Sequence, residues 1–493
     1  MSKPPRTPSG ANLQVALRLL DQLAPALHRG ERAKLTEIVR ELVALRAPMG
    51  GQWRALAGVA ARIGELSLAR EALDLFIEAL DGAPFALYQK VLLLEQSGAL
   101  REAYNLMSAL PLDVPNPASN AYIRGTQALY LGESEDARSQ LERATDLQPQ
   151  LGAAWLSLAT SADLAREPEL ANRIVAAEAA MADVPPPQSA AYYYAKGKAH
   201  AERGEHDLAF AAFARGAAEM KSLPPYDREA DRRDAEESVQ GYSAPRIAEI
   251  AGKQSEPTSR SIFVTGIGRS GTTLVEQILS CHSAVGHGGE INRLFLLASE
   301  IGGHSYSALN RYVGAEGPAR AAQLWHHWLD ERVPGPGRVV DKTPNTTRHI
   351  GLAAALLPEA PLIWLTRDPL DRAWSCFRTF FPASIPWSYD LEDIAFFFRL
   401  EDRLLSQWRE ILGDRLLVVP YESLVAEPDP WIRRILAHCG LPEEPGVFAP
   451  HESKRSVTTA SVMQVRRPIN RDGIGSAEPY REFLKPFIAA YYG

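Results

Sequence analysis

The sequence predicts a multidomain chain: an all-α solenoid built from helical repeats, followed by a three-layer α/β domain with a mostly parallel sheet. The chain has 493 residues, more than one domain of ~100–200 residues usually holds. Apolar residues recur at helical spacing in the first half, whereas short β-rich runs alternate with helical runs in the second. We therefore predict a helical domain at 11–219, a linker or connecting helix at 220–259, and the α/β domain at 260–493.

Composition and charge argue against several classes of protein. A chain that is 46% hydrophobic and 23% charged is ordinary globular material, and its net charge of −7 argues against general nucleic-acid binding. The three cysteines, Cys281, Cys376 and Cys439, are too few for a disulfide framework or a cysteine-rich zinc site, which favours a reducing compartment. Arg18 and Asp21 interrupt any signal peptide, and no apolar run approaches the ~20 residues of a membrane span. We expect a soluble, cytoplasmic protein.

Small residues recur with a fixed period in the first half. Ala69, Ala103, Ala137 and Ala171 lie 34 residues apart, and Ala209 follows 38 residues later. A glycine lies five positions before most of these alanines, at Gly64, Gly98, Gly132 and Gly204, and Gly30 is in phase one period earlier. This spacing resembles the tetratricopeptide repeat over roughly residues 11–217. In such repeats the small residues let two helices approach each other closely. Stacked repeats form a concave groove, which we expect to bind a peptide or protein that is either the acceptor or a partner. An unrelated alanine-rich helical bundle is the alternative.

The composition shifts between the two halves. The stretch PPYDREADRRDAEES is dense in charge, and the later GYSAPRIAEIAGKQSEPTSR is polar with two prolines. The segment is therefore either a linker or a connecting helix packed on the second half.

The second half has the pattern of βαβ units. Candidate buried strands are 262–265, 338–341, 362–366 and 416–419, and the helical runs between them include 346–357 and 370–380. That alternation predicts parallel strands with helices on both faces of the sheet. Ligands of such sheets bind at the carboxyl ends of the strands.

A glycine-rich turn follows the first of these strands. Gly266–Gly271 precedes an amphipathic helix from Thr272, a geometry that turns backbone N–H groups toward an anion. The string GIGRSGTT spaces two glycines as a P-loop does, but Thr272 stands where an ATP or GTP hydrolase carries lysine, and Arg269 supplies the positive charge. Such a loop suits one phosphate beside a group of lower charge better than a triphosphate with Mg²⁺. A glycine turn without a ligand is the alternative.

Two segments carry a resemblance to a known family. GIGRSGTTLVEQIL resembles the 5′-phosphosulfate-binding loop of the sulfotransferases that use 3′-phosphoadenosine 5′-phosphosulfate (PAPS). The resemblance implies that this co-substrate is bound by Gly268, Arg269, Ser270, Gly271, Thr272 and Thr273. The run PLIWLT followed by RDPLDRAWS resembles the 3′-phosphate-binding segment, which implies that Arg367 and Ser375 bind the 3′-phosphate. The alternative for Arg367 is a surface salt bridge with Asp368 or Asp371. Gly268 departs from the family's usual proline, which frees the backbone φ there.

Within that superfamily the whole chain resembles the tyrosylprotein sulfotransferase branch and its bacterial relatives with an N-terminal tetratricopeptide region. HGGE places Glu290 as the branch's catalytic acidic residue, and VVDKTPN places Lys342 at a strand end. LLVVPYESL places Tyr421 after another strand, where the resemblance implies contact with the nucleotide. TTASVMQVRRPIN places Ser461 and Arg467 in a segment that folds over the nucleotide, with Arg467 in a slot that is lysine in the animal enzymes.

Sulfuryl transfer requires a base for the acceptor hydroxyl. We assign Glu290 to this role, as the resemblance implies, and His287 is a second candidate because histidine titrates near neutrality. The alternatives are structural: Glu290 as a helix N-cap or an exposed carboxylate, and Lys342 paired with Asp341.

The leaving nucleotide requires fixed positive charge. Arg269 and Lys342 are the candidates for contacts with the sulfonate and with the bridging or 5′-phosphate oxygens, and Ser461 adds a donor. Thr272 and Thr273 are expected to cap the helix and to donate to the 5′-phosphate.

Two further expectations concern metals and motion. No metal is expected. Adjacent helical residues such as His326 and His327 point about 100° apart, and we expect no carboxylate at ligand spacing, so we predict ordinary packing. The polar segment from His451 to Asn470 is expected to include a mobile lid.

Three classes of function are consistent with these residues. The first is a PAPS-dependent enzyme whose acceptor is a protein tyrosine, a small molecule or a glycan. The second is a scaffold in which the repeats bind partners and the nucleotide domain is degenerate. The third is a phosphotransferase or NTPase, against which the missing lysine argues. The enzyme is favoured because its full residue set is present: Arg269, Glu290, Lys342, Arg367 and Ser375.

Overall fold

The computed structural model describes residues 10–221, 223, 225–381, 385–453, 455–459 and 461–493. The chain divides into two compact units. One holds the chain up to Asn120 together with Leu324–Pro334, and the other holds Ala121–Gln323 and Gly335–Gly493. This division falls inside the predicted helical domain, and the predicted limits of 11–219, 220–259 and 260–493 stay predictions.

The helical region is built of paired helices. Its helices are α1 Gly10–Arg29, α2 Arg32–Leu45, α3 Gln52–Arg62, α4 Leu66–Ala79, α5 Pro84–Gln96, α6 Leu100–Ala109, α7 Pro117–Leu131, α8 Ser134–Leu147, α9 Gly152–Thr160, α10 Pro168–Ala176, α11 Pro186–Glu202 and α12 His206–Met220. A glycine in the left-handed region separates the two helices of a pair at Gly30 (φ 67°), Gly64 (92°), Gly98 (80°), Gly132 (82°) and Gly204 (75°). Because an L side chain is strained at such φ values, glycine permits these short turns. The glycines therefore lie in the predicted turns.

The periodic alanines lie where paired helices meet. Each of the five is 0% exposed: Ala69, Ala103, Ala137, Ala171 and Ala209. Close approach is also evident at Gly125 on α7, where an added Cβ would lie 2.7 Å from Leu141 Cγ on α8. Small residues thus allow the helices to pack closely, as the period predicts. The assignment of these pairs to the tetratricopeptide repeat stays a prediction.

The second half of helix α18 (Pro318–Arg332) packs within the first unit. Trp328 is 1% exposed, and a Cβ on Gly64 would lie 2.4 Å from its indole Nε1. Glu331 accepts a hydrogen bond from the backbone N–H of Ser67 at 2.5 Å. The glycine turn at Gly64 therefore also makes room for the tryptophan ring.

Two helices fill much of the segment between the helical region and the sheet, namely α13 (Arg228–Val239) and α14 (Ala244–Ala251). Asp231 on α13 pairs with Arg348 at 3.0 Å, and Arg348 also pairs with Glu401 at 3.0 Å. The side chains of Arg348 and Glu401 are 7% and 2% exposed, so this ion-pair network is buried. The segment thus contains packed helices, which matches the connecting-helix alternative.

A five-stranded parallel sheet forms the centre of the α/β region. Its strands are β1 Ser261–Thr265, β2 Val285–His287, β3 Arg338–Asp341, β4 Leu362–Thr366 and β5 Leu416–Pro420, in the order β2-β3-β1-β4-β5. Every neighbouring pair is parallel, and Phe263 on the central strand pairs with Asp341 on one side and Leu362 on the other. The four predicted strands are confirmed. The short β2 was missed because Val-Gly-His has no apolar run.

Helices alternate with the strands along the chain. They are α15 Thr272–Ser280, α16 Leu294–Ile301, α17 Tyr306–Glu316, α18, α19 Ile350–Leu356, α20 Pro369–Phe377, α21 Leu391–Leu412, α22 Tyr421–Ala426, α23 Pro428–His438 and α24 Lys485–Tyr492. All five residues of β1 are buried, which requires cover on both faces as is usual for parallel sheets. The predicted helix 346–357 is a 3₁₀ turn followed by α19, and the predicted 370–380 is α20. Among the described residues, no helix has the length and apolar character needed to cross a lipid bilayer.

The carboxyl ends of four strands meet at one edge of the sheet. The glycine loop follows β1, Lys342 follows β3, Arg367 follows β4 and Tyr421 follows β5. Strand order alone therefore brings together residues that are far apart in the sequence.

Candidate active site

The loop after β1 has a strained backbone. Positive φ values occur at Gly266 (135°), Arg269 (68°) and Gly271 (94°). A Cβ on Gly266 would lie 2.6 Å from the carbonyl oxygen of Leu365, so only glycine allows the loop to cross β4 this closely. Arg269 is a non-glycine residue in the left-handed region, a conformation that concentrates at ligand sites.

Two expectations about this loop need correction. Gly268 does not use a positive φ, and a Cβ there would meet nothing within 4 Å, so its backbone freedom is not what shapes the loop. Gly271 is the N-cap of α15 and no side chain caps the helix, so Thr272 and Thr273 are not caps. Both threonines lie in the first turn and are at most 8% exposed. They remain candidates for phosphate contact from the first turn of the helix.

Arg269 connects three segments that the sequence assigned to one nucleotide site. Its Nε donates to Ser375 Oγ at 3.1 Å, and its Nη1 donates to Ser461 Oγ at 2.7 Å. Its Nη2 donates to Gln464 Oε1 at 3.2 Å. The structure therefore brings the predicted 5′ loop, the predicted 3′ segment and the C-terminal segment to one point.

Arg367 lies beside the glycine loop. Its guanidinium donates through Nη1 to the carbonyl oxygen of Arg269 at 2.9 Å and through Nη2 to that of Gly473 at 2.5 Å. It also lies 4.7 Å from the centre of the Tyr421 ring, within the range of a cation–π contact. Tyr421 thus lies in the same group of residues, and its predicted contact with the nucleotide stays a prediction.

The salt-bridge alternative for Arg367 does not hold, because both nearby carboxylates are engaged elsewhere. Asp368 caps α20 by accepting from the backbone N–H groups of Leu370 and Asp371 at 3.0 and 2.9 Å. Asp371 accepts from the backbone N–H groups of Gly475 and Ala477 at 2.8 and 2.9 Å.

A third arginine, Arg378, adds to the positive charge and was missed in the sequence. Burial, together with the charges of Arg378 and Arg367, lowers the pKa of Arg269 to about 10. Burial and the charge of Arg367 likewise lower the pKa of Arg378. Within the described part of the chain, none of these three arginines forms an ion pair with a carboxylate. Such uncompensated charge favours an anionic ligand.

Two buried donors in this group support the same conclusion. Among the described residues, the hydroxyl of Ser270 and the Nε of Arg367 are buried without a hydrogen-bond partner. Buried polar groups are normally paired, so unpaired donors in a site mark a place for a ligand. These residues fit a nucleotide with phosphate groups at its 5′ and 3′ positions.

Glu290 and Lys342 form a close pair beyond the end of β3. Lys342 Nζ donates to Glu290 Oε1 at 2.5 Å, and the lysine side chain is 2% exposed whereas that of Glu290 is 52% exposed. The loop that carries Glu290 is fixed to the strand end. The backbone N–H of Lys342 donates to the carbonyl oxygen of Gly289 at 2.9 Å, and that of Ile291 donates to Asp341 Oδ1 at 3.3 Å.

Two structural alternatives are wrong, namely Glu290 as a helix N-cap and Lys342 paired with Asp341, whereas Glu290 is indeed an exposed carboxylate. The N-cap of α16 is Arg293, so Glu290 caps no helix there. Asp341 accepts from Ile291 and from the hydroxyl of Thr343 at 2.6 Å, while Lys342 pairs with glutamates.

A second carboxylate near Lys342 escaped the sequence analysis. Glu276 on α15 is 4% exposed, and its Oε2 lies 3.8 Å from Lys342 Nζ. Its Oε1 lies 3.3 Å from Nδ1 of His287, the second candidate base. The available signal was an acidic residue beside Val275 in the run LVEQIL, whose other residues are apolar except Gln277.

The C-terminal segment covers the glycine loop and also contacts a helical turn. Thr459 Oγ1 lies 3.4 Å from Thr273 Oγ1. The backbone N–H of Val457 and Nη2 of Arg466 both donate to the carbonyl oxygen of Tyr130, at 3.0 and 2.9 Å. Arg467 is exposed, and its predicted nucleotide contact stays a prediction. The predicted lid includes Lys454 and Ala460, which lie outside the described residues.

His327 does not show the ordinary packing that was expected. Its Nε2 lies 2.9 Å from Glu65 Oε2, and Glu331, one turn further along α18, completes the set of three candidate metal ligands found within the described residues. The statement that no carboxylate lies at ligand spacing was therefore wrong. Glu65 is already held by Arg32 at 3.1 Å and by the hydroxyl of Thr36 at 3.2 Å, so the cluster is an ion-pair network.

Comparison with known proteins finds similarity to sulfotransferases over part of this chain. The model of the Sulfotransferase family matches residues 261–445. An uncharacterized protein of Aquifex aeolicus is 30% identical over 304 residues, which cover 58% of this chain and 39% of that protein. A protein-tyrosine sulfotransferase of Drosophila melanogaster is 26% identical over 239 residues, which cover 43% of this chain and 46% of that protein. The chain thus spans less than half the length of these curated relatives.

Solved sulfotransferase structures are also similar to part of this chain. The sulfotransferase domain of the Synechococcus PCC 7002 olefin synthase is 19% identical with a TM-score of 0.31, covering 46% of this chain and 97% of that one. A sulfotransferase from Mycobacterium avium is 16% identical with a TM-score of 0.29, covering 65% of this chain and 95% of that one.

Proposed function

We propose that the protein transfers a sulfuryl group from PAPS to an acceptor hydroxyl, with a protein tyrosine as the acceptor. The observation that carries the proposal is the pair formed by half-exposed Glu290 and buried Lys342, 2.5 Å apart at the carboxyl edge of the sheet. This transfer needs a carboxylate that the acceptor can reach and, beside it, a cation that faces the donor. The match to a protein-tyrosine sulfotransferase supports tyrosine as the acceptor.

The arginine group and the glycine loop are assigned to the nucleotide. Arg367, Ser375 and Arg378 bind the 3′-phosphate, where planar guanidinium groups suit an oxyanion. Loop residues from Gly268 to Thr273 bind the 5′-phosphate with backbone N–H groups at the start of α15. PAPS supplies an activated sulfuryl group whose bond to the 5′-phosphate is weak enough to be displaced.

The transfer step assigns one role to each member of the Glu290–Lys342 pair. The acceptor oxygen forms a bond to sulfur while the bond from sulfur to the 5′-phosphate oxygen breaks. Glu290 takes the acceptor's proton, and Lys342 and Arg269 stabilise the charge on the leaving oxygen. A free phenol has a pKa near ~10 against ~4.3 for free Glu, so nearby positive charge is needed to make the acceptor more acidic.

The helix pairs are assigned to recruitment. A concave surface of stacked repeats suits an extended peptide, so the helical region would hold the acceptor protein or a partner. The three cysteines are free thiols, which agrees with a cytoplasmic, reducing location. The transfer needs no metal, because the transferred group is less charged than a phosphoryl group.

Two experiments test the proposal. In the first, thermal unfolding is followed with 3′,5′-adenosine bisphosphate and with ATP plus Mg²⁺. Stabilisation by the bisphosphate is expected, stabilisation by ATP alone would end the proposal, and no shift with either ligand would favour a scaffold. In the second, radiolabelled PAPS is offered with tyrosine peptides, matched phenylalanine peptides, small phenols and glycans. Label on the tyrosine peptides alone is expected, whereas label only on phenols or glycans would overturn the tyrosine acceptor.

A further inference from the structure

Buried Lys342 lies between two carboxylates with very different exposure. Glu290 Oε1 is 2.5 Å from Lys342 Nζ, and its side chain is 52% exposed. Glu276 Oε2 is 3.8 Å from the same nitrogen, and its side chain is 4% exposed. A lysine has three donors, so one ammonium can face both carboxylates and still point to a third oxygen.

The position of Glu276 would favour an apolar residue unless its charge is needed. It follows Val275 on α15 and precedes Ile278 and Leu279, all of which are 0% exposed. Burial of a carboxylate among such side chains is costly unless it is paired. Lys342 on one oxygen and His287, 3.3 Å from the other, provide that pairing.

The proposed reaction changes the charge of only one of the two carboxylates. When Glu290 takes the acceptor's proton it becomes neutral and no longer balances the buried ammonium of Lys342. Glu276 is out of reach of solvent, so it stays available as a counter-charge throughout the step. We infer that Glu276 is a positioning residue, which keeps Lys342 charged and directed at the leaving oxygen while Glu290 is protonated. This inference rests on the proposed function.

The test uses Glu276→Gln, which keeps the shape of the side chain and removes its charge. Turnover with radiolabelled PAPS and a tyrosine peptide is expected to fall roughly 10- to 100-fold, the scale of losing an interaction with a charged partner. The affinity for 3′,5′-adenosine bisphosphate and the unfolding temperature should stay close to wild type, because Glu290 still pairs with Lys342 in the resting protein. Glu276→Asp, which keeps the charge, should recover part of the turnover. Glu316→Gln, an exposed residue at the end of α17, is the control for loss of a carboxylate.

The pH profile of turnover separates positioning from a structural role. The charged groups that face Glu276 are Lys342 and His287, and Glu290 faces it across the lysine. Removal of the Glu276 charge should change the shape of the pH profile of turnover. A purely structural defect would lower turnover by the same factor at every pH. Unchanged turnover in Glu276→Gln would overturn the inference. Loss of turnover in proportion to lost folding or lost bisphosphate affinity would also overturn it.

A double-mutant cycle tests the inference by binding and does not measure turnover. Its outcome can therefore be told apart from failure of the proposed function. Glu276→Gln and Glu290→Gln are each expected to leave the bisphosphate affinity within about twofold, because one carboxylate still balances Lys342. The double variant should bind about tenfold more weakly, since the buried lysine then has neither partner. If the two substitutions have additive effects on bisphosphate affinity, the positioning role is wrong. If the wild-type protein transfers no sulfuryl group, only the proposed function is wrong.

Discussion

Arg269 donates to the hydroxyl of Ser461 at 2.7 Å across a separation of 192 residues in sequence. The same guanidinium donates to Ser375 at 3.1 Å, so one side chain links the glycine loop, the helix after β4 and the C-terminal segment. Its backbone φ of 68° aims the side chain into that space. Arg269 therefore joins the three segments that the proposed function assigns to the nucleotide.

Substitution of Arg269 by Lys should weaken the nucleotide site although the charge is kept. Lysine cannot reproduce the fork that reaches Ser375, Ser461 and Gln464 together. We expect the affinity for 3′,5′-adenosine bisphosphate to fall about tenfold in isothermal titration calorimetry. Retained affinity in a correctly folded Arg269→Lys protein would show that the linked hydrogen bonds are dispensable.

Arg367→Ala and Arg378→Ala should each weaken binding of the 3′-phosphate. Loss of a charge-assisted contact predicts a drop in affinity of roughly 10- to 100-fold for the bisphosphate. Adenosine 5′-monophosphate, which lacks the 3′-phosphate, should lose much less affinity in the same variants. Arg409→Ala, an exposed position on α21, serves as the control. Equal losses for both nucleotides would refute the assignment to the 3′-phosphate.

Arg466→Ala should loosen the C-terminal segment. The guanidinium donates to the carbonyl oxygen of Tyr130, and a Cβ on Gly132 would lie 2.6 Å from its Nη1, so it packs into the turn between α7 and α8. Hydrogen exchange of residues 455–459 and 461–467 is expected to accelerate, with faster release of the nucleotide because Ser461 and Gln464 leave Arg269 more easily. If exchange in these residues is unchanged, the turn does not anchor the segment.

The pair formed by His327 and Glu65 should make the first unit sensitive to pH. The hydrogen bond to Glu65 raises the pKa of His327 above its ordinary value of 6.5. Burial opposes ionisation of Glu65, but the hydrogen bond and charge of His327 and the charge of Arg32 outweigh it and lower the Glu65 pKa below its ordinary 4.5. The contribution of His327 to the stability of the unit is complete below pH 6.5 and is lost as the pH rises through the raised pKa of His327. The contribution of Glu65 to the stability of the unit is complete above pH 4.5 and is lost as the pH falls through the lowered pKa of Glu65.

The pair therefore stabilises the unit most between pH 4.5 and 6.5. His327→Gln should flatten this dependence, with a loss of roughly 0.5–1 kcal/mol at pH 6, as is usual for partly exposed ion pairs. Unfolding curves recorded from pH 4 to 9 for both proteins are the measurement. Identical pH dependence in the two proteins would contradict the prediction.

Local features of the sequence predicted the frame of the molecule. The glycines that separate paired helices could be recognised because a left-handed turn favours glycine at each one, for example Gly64 and Gly132. Four strands could be recognised as short apolar runs. β2 could not, because three residues that include Gly286 and His287 show no such pattern.

Residues whose role depends on tertiary neighbours escaped the sequence. Arg378 lies in no motif and Glu276 lies in the glycine-loop motif without an assigned role, and only the fold places them beside Arg367 and Lys342. The Lys342–Asp341 alternative and the expectation of ordinary packing for His327 were both judged on neighbours in sequence. The structure adds partners from other elements, Ile291 for Asp341 and Glu65 for His327.

The measurement that tests the account most directly is turnover of Glu290→Gln with radiolabelled PAPS and a tyrosine peptide, beside its affinity for 3′,5′-adenosine bisphosphate. If Glu290 is the base, turnover should fall roughly 100- to 10,000-fold while the affinity stays within about twofold of wild type. Near wild-type turnover in this variant would contradict the account.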